Sequence, residues 1–381
     1  LKPINTTSDD FASIITSHSF YVDKTLLIKD LITNSDTLTL FTRPRRFGKS
    51  LNMSMLKSFF DIHASKDLFD GLNISKEREI CDKYQNQLSV ISLTFKDVSS
   101  DNYESFLYYL AFAISKAVDP ILLTSEKLNA QEKEMVEKIY NYQINENEIC
   151  KSIYLLCNYL NKHYGKKVVL LIDEYDVPLQ YASSHGYYEK AIIIMRNLLS
   201  ESLKSNTHVF LGVLTGSLKI SKESIFTSLN NLKCYSILDK AYHSYFGFSS
   251  DEVDHLLHNY YLINKKEEVK INYDGFVIGG EEMYCPFDVM NYIKDHKDDN
   301  DAPINYYWVN SSENEIVRRL LLLADEQIRN EIETLIEGGN IIKRVDLSLT
   351  YRDIFTNADN IYSILTISGY LASKERLGND L

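Results

Sequence analysis

Phe41-Thr42-Arg43-Pro44-Arg45-Arg46-Phe47-Gly48-Lys49-Ser50-Leu51-Asn52-Met53-Ser54-Met55-Leu56 is the stretch on which the fold turns. Its approach, Thr37-Leu38-Thr39-Leu40-Phe41-Thr42, is rich in β-branched residues and reads as a strand. Beyond it, Met53, Met55, Leu56 and Phe59-Phe60 form the apolar side of a helix over about 51–60. The order is therefore strand, loop with Gly48-Lys49-Ser50, helix. Such a loop lets backbone N–H groups converge on an anion at a helix N-terminus. Lys49 has the reach for β- and γ-phosphates, and Ser50 offers a hydroxyl to Mg²⁺. Taken alone the tripeptide is weak evidence. Arg43 stands where the first glycine of GxxxxGK[ST] is usual, and a solvated basic helix start is the plain alternative.

A second motif shifts the balance. Val168-Val169-Leu170-Leu171-Ile172 is a continuous aliphatic run closed by Asp173-Glu174. A strand buried on both faces of a parallel sheet looks like this. Asp173 is expected to hold Mg²⁺ through water and Glu174 to polarise an attacking water. An acidic surface turn is the bland reading. Yet both motifs close predicted strands in the expected order, and ligands of open parallel sheets bind at that edge. A sensor of the γ-phosphate is expected after the strand Val209–Thr215, with Thr215, Ser217 and Lys219 as candidates. Lys219 has the charge to stabilise a transferring phosphoryl group; otherwise it is an exposed lysine. Arg43, Arg45 and Arg46 add positive charge beside Lys49. Contact with phosphate, action on a neighbouring subunit and pairing with Asp176 are all open to them.

The surrounding chain supports an α/β reading. Further strands are expected at 88–95 and 234–238. Helical patterns run over 24–32, 103–118, 129–162 and 188–205. Strands alternating with helices imply crossovers and a mostly parallel sheet. Past residue 245 the character changes. Ser249-Ser250-Asp251-Glu252 is a capping-box signature for a helix over 251–262. Gly275, Gly279 and Gly280 punctuate a loop or hairpin, and helices are expected over 287–295, 313–336 and 358–372. The expected division is an N-terminal helical segment (1–35), an α/β nucleotide-binding domain (36–245) and a mainly helical lid or accessory region (246–381).

Composition narrows the classes. The chain has 381 residues, 44% hydrophobic and 25% charged, with only 14 Gly and 6 Pro. Those values exclude collagen-like and low-complexity chains. A net charge of −12 argues against a globally basic nucleic-acid binder, though a local basic patch is compatible with it. The cysteines, at 81, 150, 157, 234 and 285, form no CxxC pair and imply neither a disulfide framework nor a zinc ribbon. No apolar run approaches the ~20 residues of a membrane span, and no stretch reads as a signal peptide. A reduced, cytoplasmic setting is expected. The chain opens on Leu1 rather than Met, so its ends carry no argument.

Weaker features have plain readings. His255 and His258 lie i, i+3 on a predicted helix, and without a third ligand they read as a surface pair. Tyr306-Tyr307-Trp308 could stack on a base, but packing suits them better. Tyr21-Val22-Asp23-Lys24-Thr25 reads as a helix start, with Asp23 near its N-terminus.

The segment 41–56 closely resembles the variant Walker A segment of the bacterial AAA-ATPase-like family. Arg43 is then that family's own departure from the usual glycine. Tyr21–Thr25, Leu171–Leu179, Leu218–Phe226, Asn230-Asn231, Tyr245–Phe248, Tyr273-Asp274-Gly275 and Tyr307–Asn310 continue the resemblance, over about 10–372. One departure is Lys219, where the family commonly has Arg; a lysine cannot make the bidentate contact. The resemblance implies a P-loop NTPase core with a mostly parallel five-stranded sheet, and ATP rather than GTP, which no residue pattern distinguishes. It places the nucleotide on Arg43, Pro44, Arg45, Arg46, Phe47, Gly48, Lys49, Ser50 and Leu51, with Mg²⁺ at Ser50 and Asp173. Glu174, Lys49 and Lys219 would carry catalysis. Family members are often fused to a C-terminal PD-(D/E)XK nuclease-like domain, for which residues 372–381 are too few. The chain is then either trimmed or a natural short form. The fusion hints at nucleic-acid processing or defence by association alone.

Expectation therefore centres on a Mg²⁺-dependent ATPase that couples hydrolysis to domain movement. A non-hydrolysing nucleotide-gated switch or interaction protein is the alternative, and a chain with its own DNA contacts is a third. Partner and oligomeric state stay open.

Overall fold

The computed structural model describes residues 1–34, 36–218, 231–307, 315–346 and 349–372. Five parallel strands form the central sheet: β1 (Leu38–Thr42), β2 (Val90–Thr94), β3 (Val168–Asp173), β4 (Val209–Gly216) and β5 (Leu232–Tyr235). Their spatial order is β2-β3-β4-β1-β5. Every residue of β1 and β3 is buried, which the uninterrupted aliphatic run of β3 anticipates.

Alternation along each strand builds two apolar layers. Val168, Leu170 and Ile172 face one core with Leu38, Leu40 and Leu93. Helices Tyr103–Ser115, Glu146–Tyr164 and Tyr188–Leu203 cover it. Val169 and Leu171 face the other core with Phe41 and Val213, under the helices Phe11–Thr16, Leu26–Thr33 and Lys49–Phe60. The fold is an α/β P-loop architecture with helices on both faces of a parallel sheet.

Two long helical patterns are interrupted. The segment expected to be helical over 129–162 divides into Ala130–Tyr140 and Glu146–Tyr164. Asn145 begins the second helix with a complete capping box to Glu148. The pattern over 313–336 divides into Glu315–Leu323 and Glu326–Ile336, where the side chain of Asp325 accepts from Ile328 N. The last helix is shorter than expected, Asn360–Ile367.

Past residue 245, β6 (Phe248–Ser249), β7 (Phe276–Ile278) and β8 (Glu281–Tyr284) form a small antiparallel sheet in the order β6-β8-β7. Gly279 and Gly280 both take positive φ, 63° and 89°, as a two-residue hairpin loop demands. Helices Ser250–Asn259, Lys266–Tyr273 and Pro286–His296 close a separate core around Leu256, Val269 and Ile293. The chain then returns. Leu320, Ile354, Ile361 and Ile364 pack into the first core of the central sheet.

Candidate functional site

The loop after β1 is held by its backbone and by four side chains that reach away from it. Arg43 N donates to Gly216 O at 3.2 Å, extending the β1–β4 pairing past the strand end. The Arg43 side chain is fully buried. Its Nη1 donates to the carbonyls of Thr42 (2.9 Å) and Tyr235 (2.8 Å), and the guanidinium stands 5.2 Å from the Phe246 ring centroid. Burial pulls its pKa down to about 10, against the attraction of Asp239 and Cys234. Arg45 Nη2 donates to Gln180 Oε1 at 3.1 Å. Arg46, at φ 68°, stacks its guanidinium over Phe287 at 4.4 Å. Phe47 is buried among Ile278, Met283 and Cys285, edge-on to Phe276 at 4.6 Å. Gly48 sits at φ +80° with nothing within 4 Å of where a Cβ would stand. Glycine is required there by the left-handed backbone, not by crowding.

Lys49 opens the helix, and its Nζ donates to the carbonyls of Arg43 (3.2 Å) and Pro44 (3.0 Å). Burial lowers its pKa, while Glu174, Asp173 and Asp176 act to keep it charged. An ammonium with three donors, buried beside three carboxylates, can exchange two carbonyls for the oxygens of a polyanion.

Ser50 Oγ donates to Asp173 Oδ2 at 2.6 Å. Thr215 Oγ1, at the end of β4, donates to Asp173 Oδ1. Burial pushes the pKa of Asp173 up, opposed by those two hydroxyls and by Lys49. Glu174 is half-buried at φ 52°. A non-glycine residue in this region costs about 1–2 kcal/mol and persists where the surroundings over-determine it. Here the neighbouring donations do so: Glu174 N to Thr215 Oγ1 at 3.4 Å and Tyr175 N to Thr215 O at 3.1 Å.

The structure thus brings Lys49, Ser50, Asp173, Glu174 and Thr215 to one edge of the sheet. Pro44 contributes a carbonyl, and Leu51 packs against the second core. Arg43 and Phe47 direct their side chains into packing. Asp176 accepts from Ser217 N, Leu218 N and Tyr351 OH. Lys219 lies outside the described residues, as does Trp308. His255 and His258 are both exposed. Sequence reading missed Tyr351, because it is 175 positions from its partner and no local pattern marks it. The Phe276 and Phe287 contacts with the loop were missed for the same reason.

A family model described as predicted AAA-ATPase matches residues 5–226. The chain belongs to this AAA-ATPase-like family. Membership carries nucleotide binding of the ATPase kind, and the matched span contains both the Gly-Lys-Ser loop and the Asp173-Glu174 turn. An uncharacterised protein in the vnfD 5′ region of Azotobacter chroococcum mcd 1 is 27% identical over 274 residues, 71% of this chain. That stretch is 48% of the relative, so the chain spans about half the length of the curated relative it matches. A Walker-type ATPase of Pyrococcus abyssi shares 14% identity at a TM-score of 0.37, covering 83% of this chain and 75% of its own.

The oxygen donors of this AAA-ATPase-like chain suit a hard divalent cation. Ser50 Oγ and both Asp173 oxygens meet in one small region. Among the described residues no group of three or more His, Cys, Asp or Glu is arranged to hold a metal unaided. Mg²⁺ is ordinarily held by one or two protein oxygens, with phosphates and waters completing its shell. No helix among the described residues is long and apolar enough to cross a membrane.

Proposed function

We propose that the chain binds ATP together with Mg²⁺ and hydrolyses it, and that the cycle moves the region after residue 246 against the α/β domain of 36–245. The observation that carries this reading is the 2.6 Å contact of Ser50 Oγ with Asp173 Oδ2. It joins the N-terminal turn of the loop helix to the end of β3, directly beside the buried Lys49 ammonium.

The roles follow from chemistry. Backbone N–H groups from Gly48 onward and Lys49 Nζ take the phosphates. Ser50 and Asp173 are the residues that would hold Mg²⁺, which when bound neutralises phosphate charge. Glu174 orients the attacking water and accepts its proton. Lys219 is the proposed γ-phosphate sensor on sequence grounds. Arg46 on Phe287 and Phe47 in its cluster of Ile278, Met283 and Cys285 tie the loop to the region after residue 246. A change in the loop on nucleotide binding would therefore be felt there. The same contacts favour the second reading, a switch gated by binding alone. A role in nucleic-acid processing or defence, and docking to a nuclease-like domain, rest on the family resemblance.

Phosphate release and nucleotide affinity, measured for wild type, Lys49→Ala and Glu174→Gln, test the reading. Lys49→Ala is expected to lose nucleotide binding. Glu174→Gln should bind ATP but turn over about 10²–10⁴-fold more slowly, as expected for loss of a general base. Wild-type turnover in Lys49→Ala would end the assignment. Tight binding without turnover in wild type would favour the switch.

A further inference from the structure

We propose that Asp176 and Tyr351 are positioning residues that hold the end of β4 against the Asp173–Glu174 turn, so that the C-terminal segment sets the γ-phosphate edge of the site. The inference rests on the nucleotide reading above.

Asp176 lies two residues beyond Glu174, and its carboxylate is buried. One oxygen, Oδ2, accepts from Ser217 N (3.0 Å), Leu218 N (3.0 Å) and the Tyr351 hydroxyl (3.3 Å). The next residue in sequence after Leu218 is Lys219, the sensor candidate. Tyr175 grips the same stretch, its hydroxyl donating to Leu218 O at 2.6 Å. Gly216 is pressed between them. A Cβ there would stand 2.6 Å from Tyr175 Cε1 and 2.8 Å from Asp176 Oδ1. The carbonyl of Gly216 takes the Arg43 N–H, so the loop and the acidic turn meet on one short piece of backbone.

A carboxylate is an expensive choice for a purely structural anchor at a buried position. Burial pushes the pKa of Asp176 up, opposed by the Leu218 and Ser217 amides and by the charge of Lys49. Tyr351 brings in a remote element. It belongs to the segment that packs Ile354, Ile361 and Ile364 into the core of the sheet. Ser183 Oγ donates to its carbonyl at 3.4 Å. Near the far end of that segment, a Cβ at Gly369 would lie 3.3 Å from Pro44 Cγ. The segment therefore touches the acidic turn directly, through the Tyr351 hydroxyl, and its far end approaches the loop. A nucleotide that draws Lys49 toward phosphate alters the charge facing Asp176, and Tyr351 transmits the change.

Amide hydrogen exchange over 349–355 in the full chain, with and without saturating Mg·ATP, tests this beside nucleotide affinity and phosphate release. Nucleotide is expected to slow exchange there by about fivefold or more in wild type. Tyr351→Phe and Asp176→Asn should lose that response. Tyr351→Phe should keep its affinity within about twofold and lower kcat by about tenfold, the effect of one hydrogen bond to a charged group. Nucleotide binding without any exchange response over 349–355, or wild-type kcat and response in Tyr351→Phe, overturns the proposal. Binding without turnover leaves the exchange response to decide. If Asp176→Asn fails to fold, Tyr351→Phe decides alone. Failure of wild type to bind ATP in equilibrium dialysis overturns the nucleotide reading, and this inference with it.

Discussion

Asp173 holds its proton more tightly than an ordinary aspartate because burial outweighs the two hydroxyls and Lys49 that favour its charge. A raised folded-state pKa means the group's contribution to stability is fully present below the unfolded value. It is lost as pH rises through the folded value. Metal binding runs the other way and needs the ionised form. Asp173→Asn is therefore expected to raise the melting temperature of the nucleotide-free protein at neutral pH by about 2 °C, with the gain shrinking as pH falls. The same variant should lose phosphate release. Thermal melts across pH, run beside the activity assay, check both halves; a variant that melts lower at neutral pH would contradict the charge argument. The placement of Lys49 and Ser50 after β1, and of Asp173 and Glu174 at the end of β3, was legible in the sequence, because each belongs to a short local motif. The fate of the Arg43 side chain was not. Its Nη1 partner on β5 is 192 positions away, and only the closed sheet brings the two together.

At the scale of elements, the end of β4 is a tight joint. Gly216→Ala would force a methyl group against Tyr175 and Asp176. Overpacking of this kind costs about 1–3 kcal/mol, to be read as a lower denaturant midpoint at unchanged slope. A midpoint equal to wild type would show that the joint can open. Gly216 is not in the left-handed region, so no sequence rule for glycine marks it; its role exists only where β3 and β4 end side by side. All five strands of the central sheet, by contrast, were readable within a few residues; β1, β3 and β4 stand out as buried runs dense in aliphatic and β-branched residues, while the half-buried β5 lies two to three residues earlier than expected. The break at 141–145 could have been read as well. Asn145 and Glu148 stand at capping-box spacing, but continuing apolar periodicity on both sides masked the signal. Asp325 stops the later helical pattern in the same way.

Across the whole molecule, Lys24 links segments far apart in sequence. Its Nζ meets both carboxylate oxygens of Glu252 at 2.6 Å and the carbonyl of Ser244 at 2.6 Å. Glu252 also closes the capping box of the helix Ser250–Asn259. The Lys24 side chain is 9% exposed and Glu252 28%, so solvent screens the pair in part. Lys24→Met is expected to cost about 1–3 kcal/mol, below the figure for a fully buried pair broken on one side. Adding Glu252→Gln should restore part of that loss. Urea denaturation of the single and double variants measures it, and additive losses would argue against the coupling.

The sequence by itself determined the α/β class, the two motifs and their order, since each depends on residues within one strand, turn and helix. Tertiary structure decided what those motifs are fastened to. The β2-β3-β4-β1-β5 order puts β4 between the two motif strands, so Thr215 and Gly216 reach both. The return of Tyr351 to Asp176 follows from burying the segment that holds Ile354 and Ile361 in the core of the sheet. Local periodicity shows that a face is apolar; which distant surface buries it is settled only when the whole chain closes its core.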